Sequence, residues 1–242
     1  MITSRIVGTG SYVPEQIVTN DDLAKIVETN DEWIRTRTGI RQRRIATSEG
    51  TSDLAAKAAE RAIEQAGVKP GEIDLIILAT SSQDYCFPSG ACEVQGRVGA
   101  VNAVCYDLSA ACTGFVFALN TAQAFIQSGV YRTALVVGSE VLSKLIDWKD
   151  RGTCVLFGDG AGAVVLRADE TGILGFQMHS DGTKGNVLTC GARSNGNFLM
   201  NQKPELSYMT MDGQEVFKFA VKKVPEVISQ LLEKTGTPIE EI

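Results

Sequence analysis

Cys112 sits in the stretch Val104-Cys-Tyr-Asp-Leu-Ser-Ala-Ala-Cys112-Thr-Gly-Phe-Val-Phe-Ala-Leu119, where a strand pattern stops and a helix pattern starts. Ala103 to Leu108 reads as a short buried strand. Phe115, Phe117, Ala118, Leu119, Ala122, Phe125 and Ile126 then recur at helical spacing until Gly129 closes the helix. The spacing therefore predicts Cys112 at a helix N-terminus. There the unpaired N–H groups and the positive end of the macrodipole favour an anion, and thiolate is the sulfur species that attacks carbonyls. Ser109, Ala110, Ala111, Thr113 and Gly114 form a collar of small residues that leaves a carbonyl room to approach. A cysteine without such a setting is simply a common buried residue; the collar makes Cys112 a candidate nucleophile.

The elements that must position it alternate in type. Ile6-Val7 before Gly8 and Gly10 reads as a first strand, and Asn20-Asp21-Asp22 opens a helix that turns Leu23, Ile26 and Val27 inward. A polar segment follows. Thr51-Ser52-Asp53 caps a longer helix burying Leu54, Ala55, Ala58, Ala59, Ala62, Ile63 and Ala66, ended by Gly67. Asp74 to Thr80 is a continuous apolar strand, Ser89 opens a helix, and Thr133 to Gly138 and Val164 to Arg167 read as further strands. Gly172 to Met178 reads as one more. Asp212-Gly-Gln-Glu215 is a capping box for a long helix bearing Val216, Phe219, Ala220, Val224, Val227, Ile228, Leu231 and Leu232, with a bend possible at Pro225. Strands alternating with helices imply an α/β protein with a largely parallel sheet covered on both faces.

The bulk numbers exclude several functions. The 242 residues are 44% hydrophobic and 21% charged, enough for a sizeable core in one large domain or two smaller ones. With 23 Lys+Arg against 29 Asp+Glu the net charge is −6, which argues against general nucleic-acid or anionic-membrane binding. There is no apolar run of membrane-spanning length and no secretory signal pattern, so the cytoplasm is the expected compartment. Six cysteines without a Cys-x-x-Cys, and a single histidine, predict reduced thiols and no metal site. Gly8-Thr-Gly10 and Gly158-Asp-Gly160-Ala-Gly162 stand in the wrong context for phosphate binding and read as sites of close backbone packing.

One phrase repeats. Ile63-Glu-Gln-Ala-Gly-Val-Lys-Pro-Gly-Glu-Ile73 is echoed by Leu232-Glu-Lys-Thr-Gly-Thr-Pro-Ile-Glu-Glu-Ile242, with the Gly and the final Glu-Ile at a constant offset. The first copy leads into a buried strand, so the expectation is a duplicated fold whose second half is incomplete in this chain.

The flanking phrases Gly8-Thr-Gly-Ser-Tyr-Val-Pro-Glu15, Asp31-Glu-Trp-Ile-Arg-Thr-Arg-Thr-Gly-Ile-Arg41, Phe87-Pro-Ser89, Gly138-Ser-Glu140, Asp150-Arg-Gly-Thr153 and Phe157-Gly-Asp-Gly-Ala-Gly162 join Cys112 in one pattern. With them the chain resembles the β-ketoacyl-acyl-carrier-protein synthase III family along essentially its whole length. The resemblance implies a thiolase-like, duplicated αβαβα layered fold, split as residues 1–170 and the start of a second half at 171–242. It also implies a homodimer with acetyl-CoA and an acyl carrier protein as partners, and a coenzyme A thioester as substrate rather than a cofactor. The reaction implied is acyl transfer to the cysteine followed by decarboxylative condensation with malonyl-acyl-carrier-protein.

By the same resemblance Thr29, Trp33, Arg37, Arg151, Gly152 and Phe217 contact coenzyme A. Trp33 and Arg151 would sandwich the adenine and Arg37 would meet phosphate, within a basic cluster that includes Arg35, Arg41, Arg43 and Arg44; the plainer reading of that cluster is a solvated charged face. Phe87 would reach across a dimer to close the partner's acyl pocket, and Leu142 and Phe157 would line a pocket; ordinary core packing is the alternative for each. The family's catalytic histidine belongs to a His-Gln-Ala-Asn phrase that these 242 residues do not contain, and His179, in a His-Ser-Asp-Gly turn, is expected to be structural. The chain as given is therefore expected to lack residues for condensation. Two alternatives are a non-catalytic remnant that binds acyl-CoA or acyl carrier protein, and a condensing enzyme of secondary metabolism.

Overall fold

The computed structural model describes residues 2–192, 194–199 and 205–242. The strands are Thr3–Tyr12 (β1), Ile17–Thr19 (β2), Gln42–Arg44 (β3), Leu75–Ala79 (β4), Val104–Leu108 (β5), Thr133–Val141 (β6), Asp159–Asp169 (β7), Leu188–Thr189 (β8) and Thr210–Met211 (β9). The helices are Asn20–Leu23 (α1), Asp31–Thr38 (α2), Thr51–Ala66 (α3), Gly90–Val98 (α4), Gly114–Gln127 (α5), Arg151–Cys154 (α6) and Gly213–Thr235 (α7). Contacts group them into two compact units. One comprises Met1–Ile17, Arg44–Val141 and Gly158–Phe176, the other Val18–Arg43, Leu142–Phe157 and Gln177–Ile242.

The first unit is built on a five-stranded sheet of order β1-β7-β6-β4-β5. Only the β4–β5 and β4–β6 pairs are parallel; β7 runs antiparallel to both β6 and β1. The expectation of a largely parallel sheet is corrected here: helical crossovers separate β4, β5 and β6, whereas no long helix separates β6 from β7, and the chain returns against its own direction. β4 (Leu-Ile-Ile-Leu-Ala) is buried on both faces, which explains its unbroken apolar run. Ile76 and Leu78 face Ala55, Ala58, Ala59 and Ala62 of α3 and Val94 of α4. Leu75 and Ile77 face Ala118, Ala122 and Ile126 of α5. Burying each such Leu or Ile contributes about 1.5–3 kcal/mol.

Alanines on α3 let the helix lie against the strand backbone, and the glycines of β1 complete the fit. A Cβ on Gly10 would stand 2.2 Å from the carbonyl oxygen of Ala58, and one on Gly8 2.4 Å from that of Ala62. The close-packing reading of Gly8 and Gly10 therefore holds. Gly160 and Gly162 lie inside β7; a Cβ on Gly160 would stand 3.3 Å from Val13 Cγ1 and 3.4 Å from the Tyr12 carbonyl oxygen, whereas one on Gly162 would meet nothing within 4 Å. β1 is also longer than its sequence pattern suggests, because its register with β7 shifts between Ile6 and Gly8 and breaks the alternation.

In the second unit Leu23, Ile34, Ile146, Cys154 and Val155 form a small core. α1 is only four residues long, so Leu23 is buried but Ile26 is 56% exposed, against the expectation that both turn inward. The segment read as merely polar contains α2 and β3. Gly172 to Met178 forms no strand; it is held instead by Ile173 N–H donating to the Ser4 carbonyl at 2.9 Å. α7 has its expected cap, with Asp212 accepting from the N–H groups of Gln214 and Glu215 at 3.1 Å each, and it runs unbroken through Pro225. None of its residues is buried among the described residues, and Phe219, Val224 and Ile228 are exposed. No helix among the described residues is long and apolar enough to cross a membrane.

Candidate active site

Cys112 lies just beyond β5, on a 3-10 turn spanning Ala111–Thr113 that leads directly into α5. The sequence pattern places it at a helix N-terminus, and the structure puts it on the 3-10 turn two residues before α5 begins. Ala111 has φ +45°, the only non-glycine positive φ among the described residues. That left-handed conformation costs an L-residue about 1–2 kcal/mol, and strained strand-to-helix turns of this kind hold a nucleophile out from the backbone. Thr113 Oγ1 donates to the Ala110 carbonyl at 3.1 Å and closes the turn. Gly114 is buried, with room for no side chain beyond a tight contact to Ala79 Cβ at 3.3 Å. The result is an exposed Cys112 thiol on a fixed turn.

The exits of the neighbouring strands are tied to the same level. Thr80 N–H donates to the Leu108 carbonyl at 3.1 Å, which joins the end of β4 to the end of β5. Glu140 on β6 accepts from Ser81 N–H at 2.9 Å, from Thr80 Oγ1 at 3.3 Å and from Ser82 Oγ. Asp107 on β5 accepts from the N–H groups of Gly90 and Ala91, each at 2.8 Å, and so fixes the start of α4. Glu140 and Asp107 both sit in phrases quoted from the sequence, yet nothing in residue type alone showed which backbone groups they hold.

In the second unit the structure brings Thr29, Trp33, Arg37, Arg151 and Gly152 together. Asn30 caps α2 by accepting from Trp33 N–H at 2.8 Å. The Arg37 and Arg151 guanidinium carbons each lie 4.7 Å from the Trp33 ring centroid, so the indole is stacked by two cations. Asp150 accepts from Gly152 N–H at 2.8 Å and Thr153 Oγ1 at 2.7 Å, and Arg151 Nη1 donates to the Glu28 carbonyl at 3.0 Å. Beside them is an open cavity of about 410 Å³ lined by Ile26, Val27, Glu28, Lys149 and Arg151. Thr29 Oγ1 is buried without a hydrogen-bond partner, an unmet polar atom of the kind a ligand satisfies. Lys149 was missed by sequence reasoning, and its only signal was its place beside Asp150-Arg151.

Two of the remaining arginines in the basic cluster, Arg43 and Arg44, hold backbone carbonyls. Arg43 is 5% exposed and donates to the carbonyls of Val18 and Val155 and to Asn20 Oδ1; burial pushes its guanidinium pKa down. Arg44 holds the carbonyls of Pro14 and Glu15, and Arg35 pairs with Asp31 at 3.7 Å. Phe157 packs against the Leu23 and Ile34 core, and Leu142 is partly buried on a 3-10 turn at Leu142–Lys144. Phe87 and Phe217 are 85% and 66% exposed. His179 Nε2 lies 3.1 Å from the side-chain amides of both Gln177 and Gln230. All six cysteines are unbonded, as expected; burial pushes the Cys154 thiol up, and burial together with the Cys92 sulfur pushes Cys105 up to about 12.

A mixed sheet whose strand exits carry an exposed cysteine on a strained turn is an arrangement suited to nucleophilic acyl transfer. Comparisons with known proteins narrow this. The family model described as 3-oxoacyl-[acyl-carrier-protein] synthase III matches residues 106–182. The β-ketoacyl-[acyl-carrier-protein] synthase III of Clostridium acetobutylicum is 58% identical over 244 aligned residues, covering 100% of this chain and 75% of that protein. The like-named protein of Caldanaerobacter subterraneus is 51% identical, covering 100% and 74%. Among solved structures, the 3-oxoacyl-[acyl-carrier-protein] synthase III of Aquifex aeolicus superposes with a TM-score of 0.89 at 45% identity, covering 99% of this chain and 74% of that one. The chain belongs to the β-ketoacyl-acyl-carrier-protein synthase III family.

Proposed function

We propose that Cys112 Sγ accepts an acyl group from acetyl-CoA and delivers it to the carbanion formed when malonyl-acyl-carrier-protein loses carbon dioxide, the step that starts a fatty acid chain. The observation that carries this reading is the exposed thiol on the Ala111–Thr113 turn. Sulfur suits both halves of the reaction, since a thiolate is a strong nucleophile and later a good leaving group. The Cys112 backbone N–H, at the start of a turn that feeds a helix, is the proposed donor to the oxyanion of the tetrahedral intermediate. The coenzyme A nucleotide is assigned to Thr29, Trp33, Arg37, Arg151 and Gly152, with Phe217 at the same tunnel; a guanidinium both stacks on rings and forks onto phosphate oxygens. Because Arg151 itself lies over Trp33, an adenine entering between them must lift it.

Phe87, Leu142 and Phe157 are the proposed acyl-pocket residues. The exposure of Phe87 suits a side chain that a homodimer partner covers. The two-half reading, residues 1–170 and 171–242, and a cytoplasmic location with no cofactor besides the thioester substrate belong to the same proposal.

The test is an intact mass spectrum after incubation with acetyl-CoA, with Cys112→Ala alongside. One acetyl group on the parent and none on the variant is expected; an unmodified parent defeats the proposal. Adding malonyl-acyl-carrier-protein then tests the second half-reaction, which should discharge the acetyl group into a β-ketoacyl product.

A further inference from the structure

We propose that Asp84 is a positioning residue that sets the length of acyl chain Cys112 accepts, by tying the loop that carries Phe87 to the first turn of α3. The inference rests on the reading of Phe87 as an acyl-pocket residue given above.

α3 begins without a cap of its own. Gly50 stands at the N-cap position in extended backbone and has no side chain with which to accept an amide. The acceptor comes instead from the loop after β4: Thr51 N–H donates to Asp84 Oδ1 at 3.0 Å and Ser52 N–H to Asp84 Oδ2 at 2.9 Å. A Cβ on Gly50 would stand 2.7 Å from Asp84 Oδ2, so the glycine leaves the space that the remote carboxylate fills. A serine at position 50 would cap the helix from next door. What the remote cap adds is a hold on the loop.

The same loop is pinned on either side of Asp84. Before it, Ser81 N–H donates to Glu140 on β6 at 2.9 Å, Ser82 Oγ donates to the same carboxylate, and the Ser82 carbonyl accepts from Thr51 Oγ1 at 2.6 Å. After it, the Gly90 and Ala91 N–H groups donate to Asp107. Between these supports Tyr85, Cys86 and Phe87 are exposed. Asp84 is the support three residues before Phe87, and Gly90 the one three residues after it. Removing the first lets the loop swing on those that remain.

The consequence falls on long acyl groups. A two-carbon primer needs the least room, whereas each further methylene needs space that a fixed Phe87 fills. Loading of a longer chain then tracks the fraction of time the loop is displaced, and losing one hydrogen bond to a charged acceptor raises that fraction about tenfold.

The experiment follows Cys112 acylation by intact mass and takes the ratio of kcat/KM for hexanoyl-CoA to that for acetyl-CoA. The main variant combines Gly50→Ser with Asp84→Ala, which gives α3 a local cap and releases the loop. Its Tm should stay within a few degrees of the parent's, on the order of the shift from a small change in capping. Its ratio should rise about tenfold with acetyl loading within about twofold. Phe87→Ala should raise the ratio as well, and adding the double substitution to Phe87→Ala should raise it no further. A ratio that rises in Phe87→Ala but not in the double variant would overturn the role of Asp84 and leave the Phe87 reading standing. A further rise in the Phe87→Ala background would also overturn it, since Asp84 would then act through something else. If Phe87→Ala leaves the ratio where it was, the pocket reading falls and this inference with it. Should the double variant not fold, Asp84→Asn is read by the same ratio, with the same outcomes deciding.

Discussion

Replacing Asp107 with asparagine tests whether the start of α4, and with it the Phe87 loop that leads into it, is held from β5. In the structure one carboxylate oxygen takes Gly90 N–H and the other takes Ala91 N–H, both at 2.8 Å. Hydrogen bonds to a charged acceptor contribute about 1.5–3 kcal/mol each, and a negative charge at a helix N-terminus adds about 0.3–1 kcal/mol. Asparagine keeps one acceptor oxygen but turns an amide NH₂ toward the other N–H, so one bond is lost and a donor faces a donor. The expected destabilisation is about 2–4 kcal/mol, which for a chain of this length lowers Tm by about 6–12 °C at its midpoint. Urea titration followed by circular dichroism measures it, with the exposed Glu15→Gln as a control that should change little. A loss under about 1 kcal/mol would refute the claim that this carboxylate caps the helix.

Three further outcomes follow from the geometry. Gly10→Ala should destabilise by about 3 kcal/mol or more, at the upper end for overpacking, because the new Cβ meets backbone atoms of Ala58 and Ala62 at 2.2 and 2.5 Å and neither can yield without lifting α3; thermal denaturation reads it. Trp33→Ala should raise the KM for acetyl-CoA in loading Cys112 about tenfold, the loss of roughly 1.4 kcal/mol of stacking, while leaving the KM for acetyl-pantetheine within about twofold. An equal rise for both substrates would remove the nucleotide from this site. Lys57 beside Glu49 holds its carboxyl below the ordinary 4.5, against the opposing effect of burial and with help from the Tyr12 hydroxyl. A depressed carboxyl pKa stabilises the fold above the unfolded value and loses that contribution as pH falls, so stability should drop below about pH 4.5, and Glu49→Gln should flatten the drop in urea midpoints between pH 5 and 3.

Much of the first unit was legible in the sequence because its signals are local. The apolar run of β4 and the alanine face of α3 state their burial, and the small collar around Cys112 its open turn, in residue types that lie side by side. The second unit resisted, and for identifiable reasons. α1 stops after one turn, so Ile26 never completes the helical stripe that its spacing suggests. At the division between the units, Gly172 to Met178 is apolar enough for a strand, but Ile173 is tied to β1 by its N–H donating to the Ser4 carbonyl and its carbonyl accepting from Thr3 Oγ1 rather than by a ladder. Arg43 reads as one more cation in a basic run, yet its role is fixed by carbonyls at Val18 and Val155 that are remote from each other in sequence. Long-range acceptors of this kind leave no mark on the residues that flank the donor. The proposed nucleotide site rests on resemblance rather than on chemistry legible in residue types, and Lys149, which the resemblance did not carry, has no signal beyond its place beside Asp150-Arg151.

The internal repeat is where sequence and geometry agree at the level of single backbone groups. Gly67 ends α3 in the left-handed conformation at φ +61°, ψ 27°, and Gly236 ends α7 at φ +64°, ψ 26°. Gly67 N–H donates to the carbonyls of Glu64 and Ile63, and Gly236 N–H to those of Glu233 and Leu232, which are the corresponding residues of the echoed phrase. A 3-10 turn follows each, at Pro70–Glu72 and at Ile239–Glu241. A helix stop with glycine and a nearby proline is common punctuation, so the phrase alone was weak. The same two carbonyls capped by the same glycine, followed at the same interval by the same turn, is a stronger match than composition requires. Yet the two helices differ in what they bury, α3 lying deep against the sheet and α7 with no buried residue. The shared element is therefore the cap and turn, set by local backbone chemistry, and the burial of each copy is decided by what packs on it.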